Sequence, residues 1–134
     1  MTWLDRTLIR GDHLCLCTTE AEFAKELRRM KYLAPWPKWI DDDALATTHY
    51  LVSGKGHRAS IVCIAPNNME GIAVATLLVH EAVHVVQEYC RYIGEELPGI
   101  EFQAYAIQEV SARLMFAYSD MLLKGDKSGL DLRS

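Results

Sequence analysis

The chain has 134 residues, half of them hydrophobic and 24% charged, with a formal net charge of −4. That length suits one globular domain with a real core. The acidic balance excludes a basic nucleic-acid footprint, and no apolar run approaches a membrane span.

Met1-Thr-Trp-Leu-Asp-Arg shows no charged start leading into an apolar core, so a secretory signal is not expected. Residues 12–18, Asp-His-Leu-Cys-Leu-Cys-Thr, read as a short strand. The four cysteines are scattered or alternate at strand spacing, as Cys15 and Cys17 do. We read them as buried, reduced thiols of a cytoplasmic protein, not as a disulfide framework. Thr18 or Thr19 then caps a helix to about Leu33, with Glu20 and Glu22 early and Lys25, Arg28, Arg29 and Lys31 late, as the helix dipole favours. Phe23, Leu27, Met30 and Tyr32 form its apolar stripe.

The segment Ala34-Pro-Trp-Pro-Lys-Trp-Ile40 breaks that helix, and its tryptophans are expected to cover the core edge in preference to lining a groove. Asp41-Asp42-Asp43 lacks the glycine and distal glutamate of an EF-hand loop and reads as a solvated turn. Two β-rich runs, from Thr47 and from His57 to Ala65, flank Gly54-Lys55-Gly56 and predict a hairpin. Its second strand, near His57 to Ile64, is our candidate for the exposed sheet edge. Pro66-Asn67-Asn68 ends the hairpin and offers a cap for a helix from near Met69.

That helix carries the chemistry. Leu78-Val79-His80-Glu81-Ala82-Val83-His84-Val85-Val86 reads His-Glu-x-x-His without a helix breaker. Histidines four apart lie about 40° apart around a helix axis, so both imidazoles can reach one ion. Glu81 sits beside them, placed to take a proton from metal-activated water and not to bind the metal. Leu78, Ala82, Val85, Val86 and Tyr89 fall on the opposite side and should enter the core. Ala73, Leu77, His80, His84, Gln87 and Arg91 share the metal-facing stripe.

After a Gly/Pro-bounded break, Ile93 to Gly99, a last helix runs from Gly99 to about Lys124. Gly125 is its stop and 126–134 its frayed tail. Residues 1–125 are thus read as one domain. Glu101 stands in the last helix's first turn, on a stripe with Tyr105, Gln108 and Ala112, while Val110, Leu114, Ala117 and Met121 oppose it. A catalytic zinc needs a third protein ligand. Glu101 is the candidate; Glu95 and Glu96 compete with it, though they read more naturally as a solvated turn.

The helix pair, His80-Glu81-x-x-His84 followed by Glu101-Phe-Gln-Ala-Tyr-Ala, resembles the zincin metallopeptidases of the glutamate-ligand (gluzincin) branch. It is most similar to their minimal phage and bacterial members, including the ImmA/IrrE type. The likeness covers about residues 46–124 and is specific at the helix pair. Many relatives carry a second acidic residue where this chain has Gln103, which leaves Glu101 as the implied ligand. The resemblance implies an α+β fold with a small antiparallel sheet packed on helices, a zincin-like minimal core whose sheet edge lies above the metal helix.

The expected activity is zinc-dependent hydrolysis of a peptide bond in a protein or peptide substrate. Zinc would be held by His80, His84 and Glu101, with Glu81 moving the proton. Tyr105 is the candidate donor to the oxyanion, with the hairpin histidines His57 and His49 behind it. Gln108 or Glu109 could buttress a ligand histidine. The alternatives are a zincin-like zinc-binding module that cleaves nothing, and a metal-free domain with a polar core network. No nucleic-acid or membrane partner is expected, a partner protein could supply specificity, and a bacterial cytoplasm, with a phage or prophage origin, is expected by analogy.

Overall fold

Alternating strand and helix patterns become β1 (Thr2–Leu4), β2 (Asp12–Cys17), α1 (Glu20–Met30), β3 (Ala46–Val52), β4 (Arg58–Ile64), α2 (Gly71–Tyr92) and α3 (Ile100–Gly129). The structure, a computed structural model, describes residues 2–4, 12–95 and 98–129. The sheet order is β1-β2-β4-β3. β3 and β4 form the antiparallel hairpin, but β2 runs parallel to β4, with Leu14 opposite Ser60 and Cys17 opposite Cys63. The sheet is therefore mixed and not antiparallel. Between β2 and β4 the chain passes through α1 and the whole of β3, a connection long enough to return in the same direction.

This pairing also corrects the expected edge. β4 lies between β2 and β3, and its last six residues are all buried. The continuous apolar run Ile61-Val62-Cys63-Ile64 belongs to a strand covered on both faces. Among the described residues the free edge on the hairpin side is β3, where buried and exposed positions alternate from His49 to Val52.

Alternation along the strands sorts the core into two clusters. Cys15, Cys17, Ala59, Ile61, Cys63 and Leu51 pack with Phe23, Leu27 and Met30 of α1. Leu16, Val62 and Ile64 face the other way, against α2 and α3. The sheet is thus sandwiched between α1 and the α2–α3 pair. Trp39 covers the edge of the α1 cluster, as expected, and Trp36 is exposed, with the Arg28 guanidinium 6.0 Å from its ring centroid. All four cysteines are buried thiols.

Thr19 is the cap of α1, its hydroxyl accepting from the Glu22 amide at 3.1 Å, while the Glu22 carboxylate accepts from the Thr18 amide at 2.8 Å. The helix stops at Met30, before the expected Leu33, because Lys31 turns left-handed (φ 53°) and the Lys31 and Tyr32 amides cap Arg28 and Leu27. α2 begins at Gly71, two residues after the expected Met69. It ends at Tyr92, closed by the left-handed Gly94 (φ 77°), whose amide reaches the Arg91 carbonyl while the Glu95 amide reaches the Cys90 carbonyl. α3 continues past Gly125 to Gly129, so the helical stop and the start of the expected tail both move; residues 130–134 lie outside the described residues. A glycine inside a helix costs about 1 kcal/mol, too little to end one that its neighbours favour. No helix among the described residues is long and apolar enough to cross a membrane.

Candidate metal centre

α2 turns Leu78, Ala82, Val85 and Val86 into the core, and this face sets the rotation of the whole helix. His80 and His84 then emerge on the exposed side, one turn apart, with their rings edge-on at 78° and centroids 4.8 Å apart. Their Nε2 atoms converge to 3.2 Å. Two nitrogens bound to one zinc at about 2.0–2.1 Å with a near-tetrahedral angle stand about 3.3 Å apart, so the pair fits two positions of a zinc shell.

The tautomer suits that use. His84 Nδ1 lies 3.2 Å from the Gln87 side-chain oxygen, an acceptor. A proton on Nδ1 would satisfy that acceptor and leave the Nε2 lone pair for an ion. Gln87 shares the histidine stripe read from the sequence, but sequence reasoning missed its contact with His84; its position three residues on was the available signal.

Glu81 is buried, 5% exposed, in a groove it shares with His80. Ala44, Ala46, Met69, Ala73 and Leu77 also line this groove, whose volume is about 530 Å³. Thr48 Oγ1 donates to Glu81 Oε1 at 2.6 Å, the short distance of a hydroxyl bonded to a charged acceptor. Thr48 stands on the edge strand β3, so the hairpin fixes the orientation of a carboxylate carried by α2. Among the described residues Glu81 Oε2 makes no hydrogen bond, and it is not a sealed, unpaired atom in this groove-lining residue.

Tyr50 follows Thr48 at the strand period and faces the same helix. Burial pushes its hydroxyl up to about 12, and the Glu88 and Glu81 carboxylates push the same way, against Arg91. At neutral pH it is a protonated donor on the α2 side of β3. Sequence reasoning missed both Thr48 and Tyr50, although their alternation was legible.

The remaining candidates lie elsewhere. Glu101 and Tyr105 are exposed on α3, Tyr105 at 62%, because Ala106, Val110, Leu114 and Ala117 take the inward face. Among the described residues, no third His, Cys, Asp or Glu stands with His80 and His84 as a metal-holding group. Gln103, two residues and so about 200° around the helix from Glu101, is the α3 side chain that shares a groove with Gln87. Glu95 lines that same groove. Gln108 is exposed and Glu109 pairs with Arg113 at 3.5 Å. His57 lines a different groove at the hairpin turn. His49 is a core residue, stacked on Phe23 with centroids 4.6 Å apart and its Nε2 2.9 Å from the Trp39 carbonyl. Glu96 lies outside the described residues. Comparison of this chain with protein-family models, with curated proteins and with solved structures finds no match.

Proposed function

We propose that this chain is a zinc-dependent peptidase of the zincin type, working in a bacterial cytoplasm on a protein or peptide substrate. The observation that carries the reading is the 3.2 Å convergence of His80 and His84 Nε2 beside the groove-facing Glu81. His80 and His84 would hold the ion. Glu101 is the third ligand implied by resemblance; Glu95 is its rival, because it shares a groove with Gln87, the partner of His84. Either carboxylate must be drawn in by the metal.

A zinc ion held by these residues would supply Lewis acidity to a peptide carbonyl and to water. Glu81 holds Oε1 against Thr48 and so offers Oε2 to accept a proton and return it to the leaving amine. Tyr50, in preference to the exposed Tyr105, can donate its hydroxyl to negative charge developing nearby, since it stays protonated. The free edge of β3 suits an extended peptide added as a further strand beside Thr48.

A second reading is a zincin-like module that binds zinc and cleaves nothing. Glu81→Gln separates the two. Glutamine keeps the volume and can still accept from Thr48, but it cannot carry a proton. In a peptidase this substitution retains zinc and lowers hydrolysis by about 10²–10⁴. Fragments made from a bacterial lysate by wild type and not by the variant support the peptidase. Zinc-loaded protein yielding identical fragment patterns with either form would leave the binding module.

A further inference from the structure

We propose that the groove beside His80 and Glu81 selects peptides that carry a lysine or arginine next to a bulky aliphatic residue. This rests on the peptidase reading for what is cut, though not for what the groove holds.

The floor of the groove is apolar. Leu45, Met69 and Leu77 line it with the small residues Ala44, Ala46 and Ala73, and no Lys or Arg lines it among the described residues. Leu45 is 61% exposed although its backbone is fixed. The Ala65 amide donates to the Leu45 carbonyl at 3.4 Å, the Ala44 amide to the Asp41 carbonyl at 3.1 Å, and the Asp41 amide to Thr47 Oγ1 at 2.8 Å. A leucine held open on a fixed wall beside three alanines leaves apolar contact for an incoming side chain, with little ordering still to be done. At its inner end the groove meets Glu81, 5% exposed, whose Oε2 has no hydrogen-bond partner among the described residues. Apolar walls with one or two polar groups at the end suit a side chain whose backbone must be oriented.

β3 and α2 run the same way, since Ala46 shares the groove with Ala73 and Leu77 while Thr48 reaches Glu81. A peptide laid along β3 past Glu81 therefore runs on into the groove and to its rim. That rim is acidic on both banks. Asp41 and Asp43 precede Ala44 on one side, and Glu70 follows Met69 on the other. All three are exposed, and none makes an ion pair among the described residues. Asp42 is not counted with them, because Lys38 holds it at 2.7 Å. Uncompensated carboxylates around an apolar floor favour a cation beside the aliphatic residue and disfavour an acidic one. They stand in water, so their share of the selection is small and sensitive to salt, and the aliphatic contact carries the larger share.

The test follows the fluorescence anisotropy of three labelled heptapeptides: Gly-Gly-Lys-Leu-Lys-Gly-Gly, its form with Asp for Leu, and its form with Glu for both Lys. The protein is the zinc-saturated full chain carrying Glu81→Gln, so that nothing is cut during the measurement. In that background Ala73→Phe fills the groove from an exposed position, Asp41→Asn/Asp43→Asn/Glu70→Gln removes the rim charge, and Glu20→Gln, exposed on α1, is the control. We expect the Leu peptide to bind about tenfold or more tightly than the Asp form. It should bind a few-fold more tightly than the Glu form at low salt, and equally at high salt. Ala73→Phe should abolish the preference for Leu. The triple variant should keep that preference and lose the one for Lys, and Glu20→Gln should change neither. No peptide binding by the folded protein, no preference for Leu, or a preference that survives Ala73→Phe overturns the groove; a Lys preference that survives the triple variant overturns the rim. Hydrolysis of the same peptides by the chain with its native Glu81 reads the peptidase separately. The expected binding without hydrolysis keeps the groove and removes the peptidase, whereas hydrolysis that favours the Asp form keeps the peptidase and removes the groove.

Discussion

Thr48→Val tests whether the edge strand orients the carboxylate of α2. Valine keeps the β-branched shape that suits a strand and removes only the hydroxyl. Glu81 is 5% exposed, and among the described residues Thr48 is its one hydrogen-bond partner, at 2.6 Å. A hydrogen bond to a charged, buried acceptor contributes about 1.5–3 kcal/mol, and the orphaned carboxylate regains little from water. At about 2.1 cal/mol/K per residue, a chain of this length has an unfolding entropy of roughly 0.28 kcal/mol/K, so a loss of about 2 kcal/mol lowers Tm by about 7 °C. Thermal unfolding at neutral pH with a chelator present reads this without any contribution from metal. Repeating the change in a Glu81→Gln background should cost only about 0.5–1.5 kcal/mol, because the acceptor is then neutral. An unchanged Tm in Thr48→Val, or the same loss in both backgrounds, would refute the charge-assisted contact.

Gly54→Ala should destabilise the hairpin turn by about 1–3 kcal/mol in urea unfolding, since an added Cβ would stand 2.7 Å from the Lys31 carbonyl oxygen. A neutral result would mean that the turn is not pinned to α1. Tyr50 should titrate near pH 12, above the ordinary tyrosine value of 10.0, when followed by ultraviolet absorbance against a Tyr50→Phe control. The folded state holds that proton more tightly than the unfolded chain, so this contribution to stability is complete below pH 10.0 and is lost as pH rises towards about 12. Gln87→Ala should weaken zinc binding by about 10–100-fold, by freeing the tautomer and orientation of His84; unchanged affinity in a zinc competition titration would rule out that buttress.

What the sequence made legible follows from pattern strength. The 3.6-residue period of α2 placed Leu78, Ala82, Val85 and Val86 inside and His80 and His84 outside, and the structure has them so. The hairpin and the Thr19 cap were equally readable, because each rests on local turn or capping chemistry. The sheet order was not, since the parallel pairing of β2 with β4 is a contact between distant segments that no local pattern encodes. The all-apolar run of β4 did signal a central strand, and reading it as an edge overlooked that signal. On the α3 side, spacing put Glu101 in the first turn but could not say how the helix is rolled. Ala106, Val110 and Leu114 decide that roll, and they carry Glu101 away from the side on which Gln103 shares a groove with Gln87. Thr48 and Tyr50 went unread because their importance lies wholly in the helix they face.

The most direct test of the metal centre is the zinc content of the purified, zinc-saturated chain after dialysis, measured beside His84→Ala, Glu101→Ala and Glu95→Ala. The account predicts about one zinc per wild-type chain and its loss in His84→Ala, with the third ligand identified by whichever glutamate variant also loses it. Wild-type protein that retains no zinc, or a His84→Ala variant that retains as much as wild type, would contradict it.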